Sequence, residues 1–325
     1  MADRPLQFGV RSLRLQDHSE AESAVDGVEP LVVDRLSPGA ATAEFVQIEL
    51  GDVAVVAGDY GSPIHSRGLV RSDQALVGLQ MAPSPGHWNG RPFRQDAAWI
   101  YGAGAEHDGV GLEPTYFAAV GVPAPLADAL RGDPVTAGQV QLSTGPHAES
   151  LRVLLADMVD LARTTATRSQ QLEPQVATTA RAALIDRLAG TLRLGHGAQR
   201  LDRGAAARVV HSCLQAADHL GPQPSPLDLG AALGLTDRRI RAAFNEWFGV
   251  PVATYFRHRA LHAAHRDLVH ARSGETTVAT VAVRWGFWHL GRFAQRYRHQ
   301  FGVPPSVTLT ATKSRTWPPS RSEIG

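Results

Sequence analysis

Two stretches in the last third of the chain carry side chains that could contact DNA. Each stretch is rich in arginine, whose forked guanidinium can form paired hydrogen bonds with phosphate or with the O6 and N7 atoms of guanine. A glutamine in the second stretch could form the corresponding pair with N6 and N7 of adenine. The candidate residues are Arg238, Arg239 and Arg241 in the first stretch and His289, Leu290, Gly291, Arg292, Gln295, Arg296 and Arg298 in the second.

The charge distribution agrees with an anionic partner for this third of the chain. Residues 203–325 hold 16 basic and 7 acidic residues and so carry a net charge of +9, whereas residues 1–202 carry −8, which together give the overall +1. A basic segment joined to an acidic body is typical of nucleic-acid binding. A chance imbalance on a solvated surface would give the same totals, so charge alone leaves the partner open.

The first stretch has the pattern of a helix-turn-helix. A short helix can form from Asp228 to Leu233, Gly234 permits a tight turn, and Thr236 is a suitable N-cap for a helix that runs to about Phe248. The apolar stripe of this second helix comprises Ile240, Phe244 and Phe248. Its arginines lie near the N-terminus and away from the stripe, where a recognition helix meets the major groove.

The second stretch repeats this pattern. A short apolar helix around Val281 is followed by a turn at Gly286 and by a basic helix from His289 to Phe301. The glycines of the two turns are 52 residues apart. Residues 252–271 lie between the modules and predict a helix of roughly 30 Å, which can hold two reading helices about one DNA turn apart.

The first half of the chain has a different pattern. Residues 1–26 are polar and weakly patterned, and from about residue 31 to residue 142 short apolar runs alternate with glycine and proline turns, which favours a sandwich or barrel. The clearest strands are 44–50, 53–58, 75–81 and 97–102. Helical periodicity follows at 150–165, 174–194 and 205–220, with a linker at 192–204.

The C-terminal modules resemble the DNA-binding domain of the AraC/XylS family of transcription regulators. Residues 285–306, WGFWHLGRFAQRYRHQFGVPPS, follow that family's signature. Residues 255–269, YFRHRALHAAHRDLV, are similar to the linker helix of the subgroup that includes the ethanolamine-utilisation regulator. The likeness is strong over about residues 226–306. Residues 8–194 more weakly resemble the N-terminal sensing and dimerisation domain of AraC-like activators.

The resemblance implies roles for single residues. It directs Arg238, Arg241 and Ala242 of the first helix, and Leu290, Gly291, Arg292 and Gln295 of the second, toward bases. His289, Arg296 and Arg298 suit phosphates, which fix register without reading sequence. The family usually has an arginine where this chain has Ala242. Either Arg241 takes over that contact or the first module reads fewer bases.

The strand-rich half offers a candidate ligand pocket and no clear metal site. Trp88, Trp99 and Tyr101 could line an apolar pocket, although such aromatic residues are more often ordinary core. The histidines of this half lack the close pairing, with a glutamate nearby, that a metal-binding cupin needs, so we expect no metal site. In the run Glu106-His107-Asp108 the side chains are adjacent rather than spaced for one face of a strand.

Cys213 is the sole cysteine of the chain. A single cysteine excludes an internal disulfide framework and any multi-cysteine metal site. Because it lies on the apolar face of a predicted helix, we expect it to be buried rather than nucleophilic.

These patterns predict an α+β chain of about two domains. The predicted segments are a β-rich, cupin-like ligand-sensing domain at 1–148, a helical dimerisation and linker segment at 149–202, an all-α double helix-turn-helix domain at 203–312, and a flexible tail at 313–325. No apolar run is long enough for a membrane span, and the first residues are not those of a signal peptide, so we expect a cytoplasmic protein.

The expected function is transcription regulation, with activation as the family's usual sense. The expected partners are double-stranded promoter DNA, RNA polymerase, an unknown small-molecule effector and a second copy of the chain, and no cofactor is expected. Two alternatives remain open from the residues alone. One is a cupin-like metalloenzyme with an accessory DNA-binding domain, and the other is a ligand-free architectural DNA-binding protein.

Overall fold

The structure is a computed structural model that describes residues 8–15, 20, 27–39, 42–165, 169–193, 204–271 and 276–314. The chain divides into two compact units between Ala207 and Arg208, and the short segment 37–40 is grouped with the second unit. The first unit is rich in strands, and the second is helical throughout the part that is described. The predicted α+β fold class, with a β-rich N-terminal region and an all-α C-terminal region, is confirmed.

Two antiparallel sheets form the first unit. In chain order the strands in its described part are β1 (Phe8–Leu15), β2 (Val32–Arg35), β3 (Ala43–Leu50), β4 (Val53–Tyr60), β5 (Ile64–Leu69), β6 (Gln74–Gln80), β7 (Gly86–Trp88), β8 (Arg91–Pro92), β9 (Ala97–Tyr101), β10 (Glu106–Gly111), β11 (Thr115–Pro123), β12 (Val140–Thr144) and β13 (Ser169–Gln171). The larger sheet has the order β12-β9-β6-β11-β4-β3-β1-β13, and the smaller has the order β2-β5-β10-β7-β8.

Helices follow the sheets in the chain. Those in the described part are α1 (Ala124–Arg131), α2 (Pro146–Thr165), α3 (Pro174–Arg193), α4 (Ala205–Leu220), α5 (Pro226–Leu233), α6 (Asp237–Phe248), α7 (Val252–His270), α8 (Val278–Arg284), α9 (Leu290–Phe301) and α10 (Pro305–Ser314). The helices α5 to α9 have the order short helix, basic helix, long linker helix, short helix, basic helix, as the sequence predicts.

The larger sheet separates two apolar cores because its side chains alternate between its faces. On one face, Val46 and Ile48 of β3 join a core that includes Leu151 of α2 and Leu184 of α3. On the other face, Phe45 of the same strand belongs to the core between the two sheets. The strands β3 and β4 meet at a two-residue turn whose glycine, Gly51, has a φ of 78°, as tight hairpins require.

The structure differs from the sequence pattern in four places. The helix α1 lies inside the region 31–142, where the sequence pattern favours strands. The weakly patterned N-terminal region contains β1, which pairs with β3 along its whole length. The segment 149–202, expected to be helical, contains β13, which pairs with β1. Residues 313–314 of the expected tail are the end of α10, and residues 315–325 lie outside the described residues, as do residues 194–203 of the expected linker.

Two glycines of the larger sheet make a matched test of this packing. A Cβ on Gly58 would lie 2.4 Å from Cε1 of Phe45, whereas a Cβ on Gly78 would meet nothing closer than Cε2 of Tyr101 at 3.9 Å. We expect Gly58→Ala to lower the free energy of unfolding by about 1–3 kcal/mol because the ring must shift. Gly78→Ala should change it by less than about 0.5 kcal/mol. Urea unfolding measures both, and equal effects would contradict the packing.

Candidate nucleic-acid interface and interior cavity

Local hydrogen bonds close the first helix-turn-helix. Ser225 and Asp228 form a capping box, in which the Asp228 N–H donates to Ser225 Oγ over 3.2 Å and the Ser225 N–H donates to Asp228 Oδ2 over 2.9 Å. The helix α5 ends at Gly234, whose φ is 65°. A Cβ on Gly230 would lie 2.7 Å from the carbonyl oxygen of Leu235. Glycine at that position therefore lets the turn close and fixes where α6 begins.

The helix α6 has one buried and one exposed face. At its N-cap, the hydroxyl oxygen of Thr236 accepts from the N–H of Arg239 over 3.3 Å. On the buried face, the ring of Phe248 stacks on Tyr255 of α7 with the centroids 4.1 Å apart. The predicted reading residues are all exposed, and they are Arg238, Arg239, Arg241 and Ala242. The sequence therefore placed the basic face of α6 correctly at the surface.

Arg241 is bonded to the first turn of its own helix. Its Nε donates to Oδ2 of Asp237 over 2.7 Å. An exposed pair of this spacing adds little stability, but it directs the side chain toward the N-terminal end of α6. The bond uses Nε, so the two terminal nitrogens of the guanidinium lie outside it. Arg238 lies about one turn before Arg241. Both residues are therefore near the N-terminal end of α6.

The second helix-turn-helix has a similar form with weaker capping. The hydroxyl of Thr277 accepts from the N–H of Thr280 over 3.1 Å at the start of α8, and Gly286 makes the turn with a φ of 79°. His289 is the N-cap of α9 without a side-chain cap bond. The predicted reading residues of this module are all exposed, and they are His289, Leu290, Gly291, Arg292, Gln295, Arg296 and Arg298.

The linker helix α7 contacts both modules. Near its N-terminal end, Tyr255 packs edge-on against Phe244 of α6 with the centroids 5.4 Å apart. Near its C-terminal end, Oδ2 of Asp267 accepts from Nη1 of Arg284 and from Nε1 of Trp285, each over 2.9 Å. A straight helix of these 19 residues is about 28 Å long. Both helix-turn-helix modules are therefore attached to the same helix.

Sequence reasoning missed one aromatic residue at this surface. Trp288 lies between the turn at Gly286 and the first residue of α9, and it is 75% exposed. Its neighbour Phe287 is only 4% exposed. The sequence offers both as aromatic residues in the same short loop, and only the structure separates the core residue from the exposed one.

A cavity of about 50 Å³ lies between the two sheets of the first unit. Of the predicted pocket residues, Trp88 and Tyr101 line it, whereas Trp99 lies behind Trp88 with the ring centroids 4.8 Å apart. The other aromatic lining residues are Tyr60, Phe93 and Phe117. A cavity of about 150 Å³ can hold benzene, so this one has room for only a few atoms in its present form.

His107 gives this cavity a titratable group. Its Nε2 lies 2.9 Å from Oγ of Ser66, whose hydroxyl donates to the carbonyl oxygen of Gly109 over 3.3 Å. We infer that Nε2 carries the proton and that Nδ1 is an acceptor. Nδ1 is buried and has no hydrogen-bond partner in the part of the chain that is described. Burial lowers the pKa of His107 to about 4, against the opposing charge of Asp108, so the ring is neutral at pH 7.

The opposite face of the smaller sheet collects charged groups that are far apart in the sequence. Val110 pairs with His65 in β5 and with His87 in β7, which brings both histidines beside Asp108. His65 Nε2 lies 3.3 Å from Oδ1 of Asp108. Burial raises the pKa of Asp108, but the charges of His65, His87 and Arg67 outweigh burial and lower it to about 2. Strand register, which residue spacing does not reveal, creates this cluster.

Three further features bear on the chemistry open to the chain. Among the residues that the structure describes, no three His, Cys, Asp or Glu side chains are grouped so as to hold a metal ion. Cys213 is buried as predicted, and burial raises the pKa of its thiol to about 11, which disfavours the nucleophilic thiolate. Within the described ranges, no helix has the length and apolar character that crossing a membrane would need.

The stability of the first unit should fall as the pH drops from about 6.5 toward 4. Unfolded His107 takes up a proton below its ordinary pKa of 6.5, whereas folded His107 does so only below about 4. The folded state is therefore favoured above pH 6.5 and should lose about 1–2 kcal/mol by pH 5. Urea unfolding at pH 7 and pH 5 should show a smaller difference in His107→Gln than in the wild type. An equal pH dependence in the two proteins would contradict the buried neutral histidine.

Comparisons with known proteins agree on the C-terminal part. Residues 229–311 match a family model described as a helix-turn-helix domain. The chain is 33% identical over 81 residues to the XylDLEGF operon transcriptional activator 2 of Pseudomonas putida, covering 25% of this chain and 52% of that protein. It is 32% identical over 83 residues to the probable thc operon regulatory protein of Rhodococcus erythropolis, covering 26% of this chain and 25% of that protein. The match thus spans about half of one relative and a quarter of the other.

Solved structures of regulators are similar as well. The match to the crystal structure of the AraC-like transcriptional activator CuxR covers 79% of this chain and 96% of the CuxR chain, at 16% identity and a TM-score of 0.43. That of a probable AraC family transcriptional regulator from Rhodopseudomonas palustris CGA009 is 30% identical and covers 33% of this chain and 98% of its own, with a TM-score of 0.30. The named relatives are all regulators rather than enzymes. Residues 229–311 thus form a helix-turn-helix domain of the AraC type, and this part of the chain is similar in sequence to named operon regulators.

Proposed function

We propose that this chain is a sequence-specific DNA-binding transcription regulator whose helices α6 and α9 read two successive major grooves. The observation that carries the proposal is that both helices present exposed basic faces and that both are anchored to α7. The length of α7, about 28 Å, approaches the helical repeat of DNA, about 34 Å. Reading helices attached near the two ends of such a linker can enter the same face of one duplex.

In α9 we assign separate roles to base-reading and phosphate-binding residues. Arg292 suits guanine and Gln295 suits adenine in the major groove. Gly291 has open space where a Cβ would stand, so the helix can approach the base edges closely. The residues assigned to phosphates are His289, Arg296 and Arg298, whose contacts fix register.

In α6 the proposal gives Arg241 the contact that Ala242 cannot make. Asp237 holds Nε of Arg241, and the terminal nitrogens can then form the paired bonds that guanine accepts. Arg238, at the same end of the helix, reads a second base, and Arg239 contacts the backbone. The first module then reads bases through side chains that its own first turn orients.

The cavity between the sheets is the proposed site of a small-molecule effector. Its aromatic lining suits an apolar group, and neutral His107 offers one hydrogen-bond acceptor at Nδ1. An effector of more than a few atoms must displace an aromatic side chain, because the present volume is about 50 Å³. Binding would then favour one arrangement of the chain over another and shift its population, which is how an effector could control DNA binding.

The remaining partners follow from the family and from one exposed surface. Val153 and Leu161 of α2 are exposed apolar side chains eight residues apart, and Val176 of α3 is exposed as well. Positions eight apart lie on one face of a helix, so this face suits a homodimer interface. Following the pattern of the family, we also propose that the protein contacts RNA polymerase, activates transcription and is cytoplasmic.

In vitro selection from random duplex DNA with the full chain tests the function. We expect a motif of two short elements about 10 base pairs apart. Arg292→Ala should relax the preference at one position and weaken binding of the motif about tenfold or more. Arg298→Ala removes another exposed arginine from the same helix and should weaken all sequences alike, with a smaller salt dependence.

Two results would contradict the proposal. One is binding that depends on salt but not on sequence, which would mean that the helices do not read bases. The other is an equal loss of preference in Arg292→Ala and Arg298→Ala, which would remove the distinction between base and phosphate contacts.

A further inference from the structure

Trp288 is a large apolar side chain exposed on the proposed reading surface. It is 75% exposed, whereas Trp88 and Trp99 are buried. Leu290, two residues later, is 45% exposed. These two exposed apolar residues flank His289, the N-cap of α9, and we call them the Trp288 patch. An exposed patch of this kind marks a surface that another molecule covers.

The surroundings of the Trp288 patch favour nucleic acid as that molecule. Residues 276–314 include four arginines and one lysine but no aspartate or glutamate. Arg292 is exposed in the first turn of α9, and Gly291 leaves open space beside it. The N-terminal residues of a recognition helix are those that meet base edges in the major groove. The patch is therefore continuous with the surface that would enter the groove.

The major groove offers one apolar group that such a patch can cover. Among the groups on base edges in this groove, the 5-methyl group of thymine is the one bulky apolar group, and most of the others are hydrogen-bond donors or acceptors. A tryptophan ring is large enough to exclude water from a methyl group, and Leu290 can complete the contact. Polar base edges would instead leave hydrogen-bonding groups covered by apolar atoms, which is unfavourable.

We propose that the Trp288 patch packs on the 5-methyl group of a thymine next to the guanine read by Arg292, so that Trp288 sets a preference for thymine there. The inference rests on the proposed function, since it requires α9 in a major groove. It adds a specificity-determining residue that reads by apolar contact rather than by hydrogen bonding.

The test removes the methyl group and the indole separately. In the operator recovered by selection with the full chain, each thymine is replaced in turn by deoxyuridine, which lacks only the methyl group. We expect wild-type binding to weaken about fourfold at one thymine, the effect of exposing one buried methyl group. Trp288→Ala should bind the unmodified operator several-fold more weakly and show no further loss with deoxyuridine at that position. Trp288→Phe should retain part of the methyl effect.

Leu227→Ala is the matched control, because Leu227 of α5 is 77% exposed and lies outside the two reading helices. It should keep the full methyl effect. The inference is contradicted if Trp288→Ala keeps that effect, or if it binds the operator as the wild type does, in which case the patch serves a protein partner. If selection yields a motif whose sequence preference Arg292→Ala relaxes, these results for Trp288→Ala contradict only the inference about the Trp288 patch. If selection yields no motif, the proposed function fails with it.

Discussion

The attachment of both helix-turn-helix modules to α7 is the constraint on which the proposed DNA recognition depends. Near one end, Tyr255 is part of an aromatic cluster with Phe244 of α6. Near the other end, the ring nitrogen Nδ1 of His265 lies 2.5 Å from the hydroxyl of Tyr297, which is buried in α9. In the proposed function each module reads only a few bases, so strong binding would require both modules to bind at once. A rigid connection lowers the entropic cost of that simultaneous binding.

In the first unit, successive side chains of a β strand point to opposite faces of the sheet and so lie in different environments. In β10, His107 faces the cavity and Asp108 faces away from it, toward His65 and His87. One short strand therefore supplies a neutral acceptor to an apolar cavity and an ionised carboxylate to a charged cluster. The separation keeps the fixed negative charge off the cavity wall, which leaves that wall suited to uncharged groups.

How far the sequence could predict the structure depends on whether the signal is local. Helix ends in the second unit were predictable because Thr236 and Gly234 act on their own neighbours. The strand β1 was not, because two arginines and a serine interrupt its apolar residues and its pairing partner, β3, is about 35 residues further on. The reading residues could be placed from helical periodicity, whereas the exposure of Trp288 depends on how the turn packs. The cluster around Asp108 arises from strand register, which no local spacing encodes.

Helical phasing of the two DNA elements tests the central claim most directly. With the full chain at fixed salt, the affinity for the selected operator is compared with those for operators in which five or ten base pairs separate the elements further. Five base pairs rotate one element by about half a turn, and ten restore its face but add about 34 Å. Modules fixed to a rigid α7 should lose specific affinity for both. Retained affinity for the operator with the ten-base-pair insertion would show that α7 does not hold the modules at a fixed separation. That result would contradict the central claim.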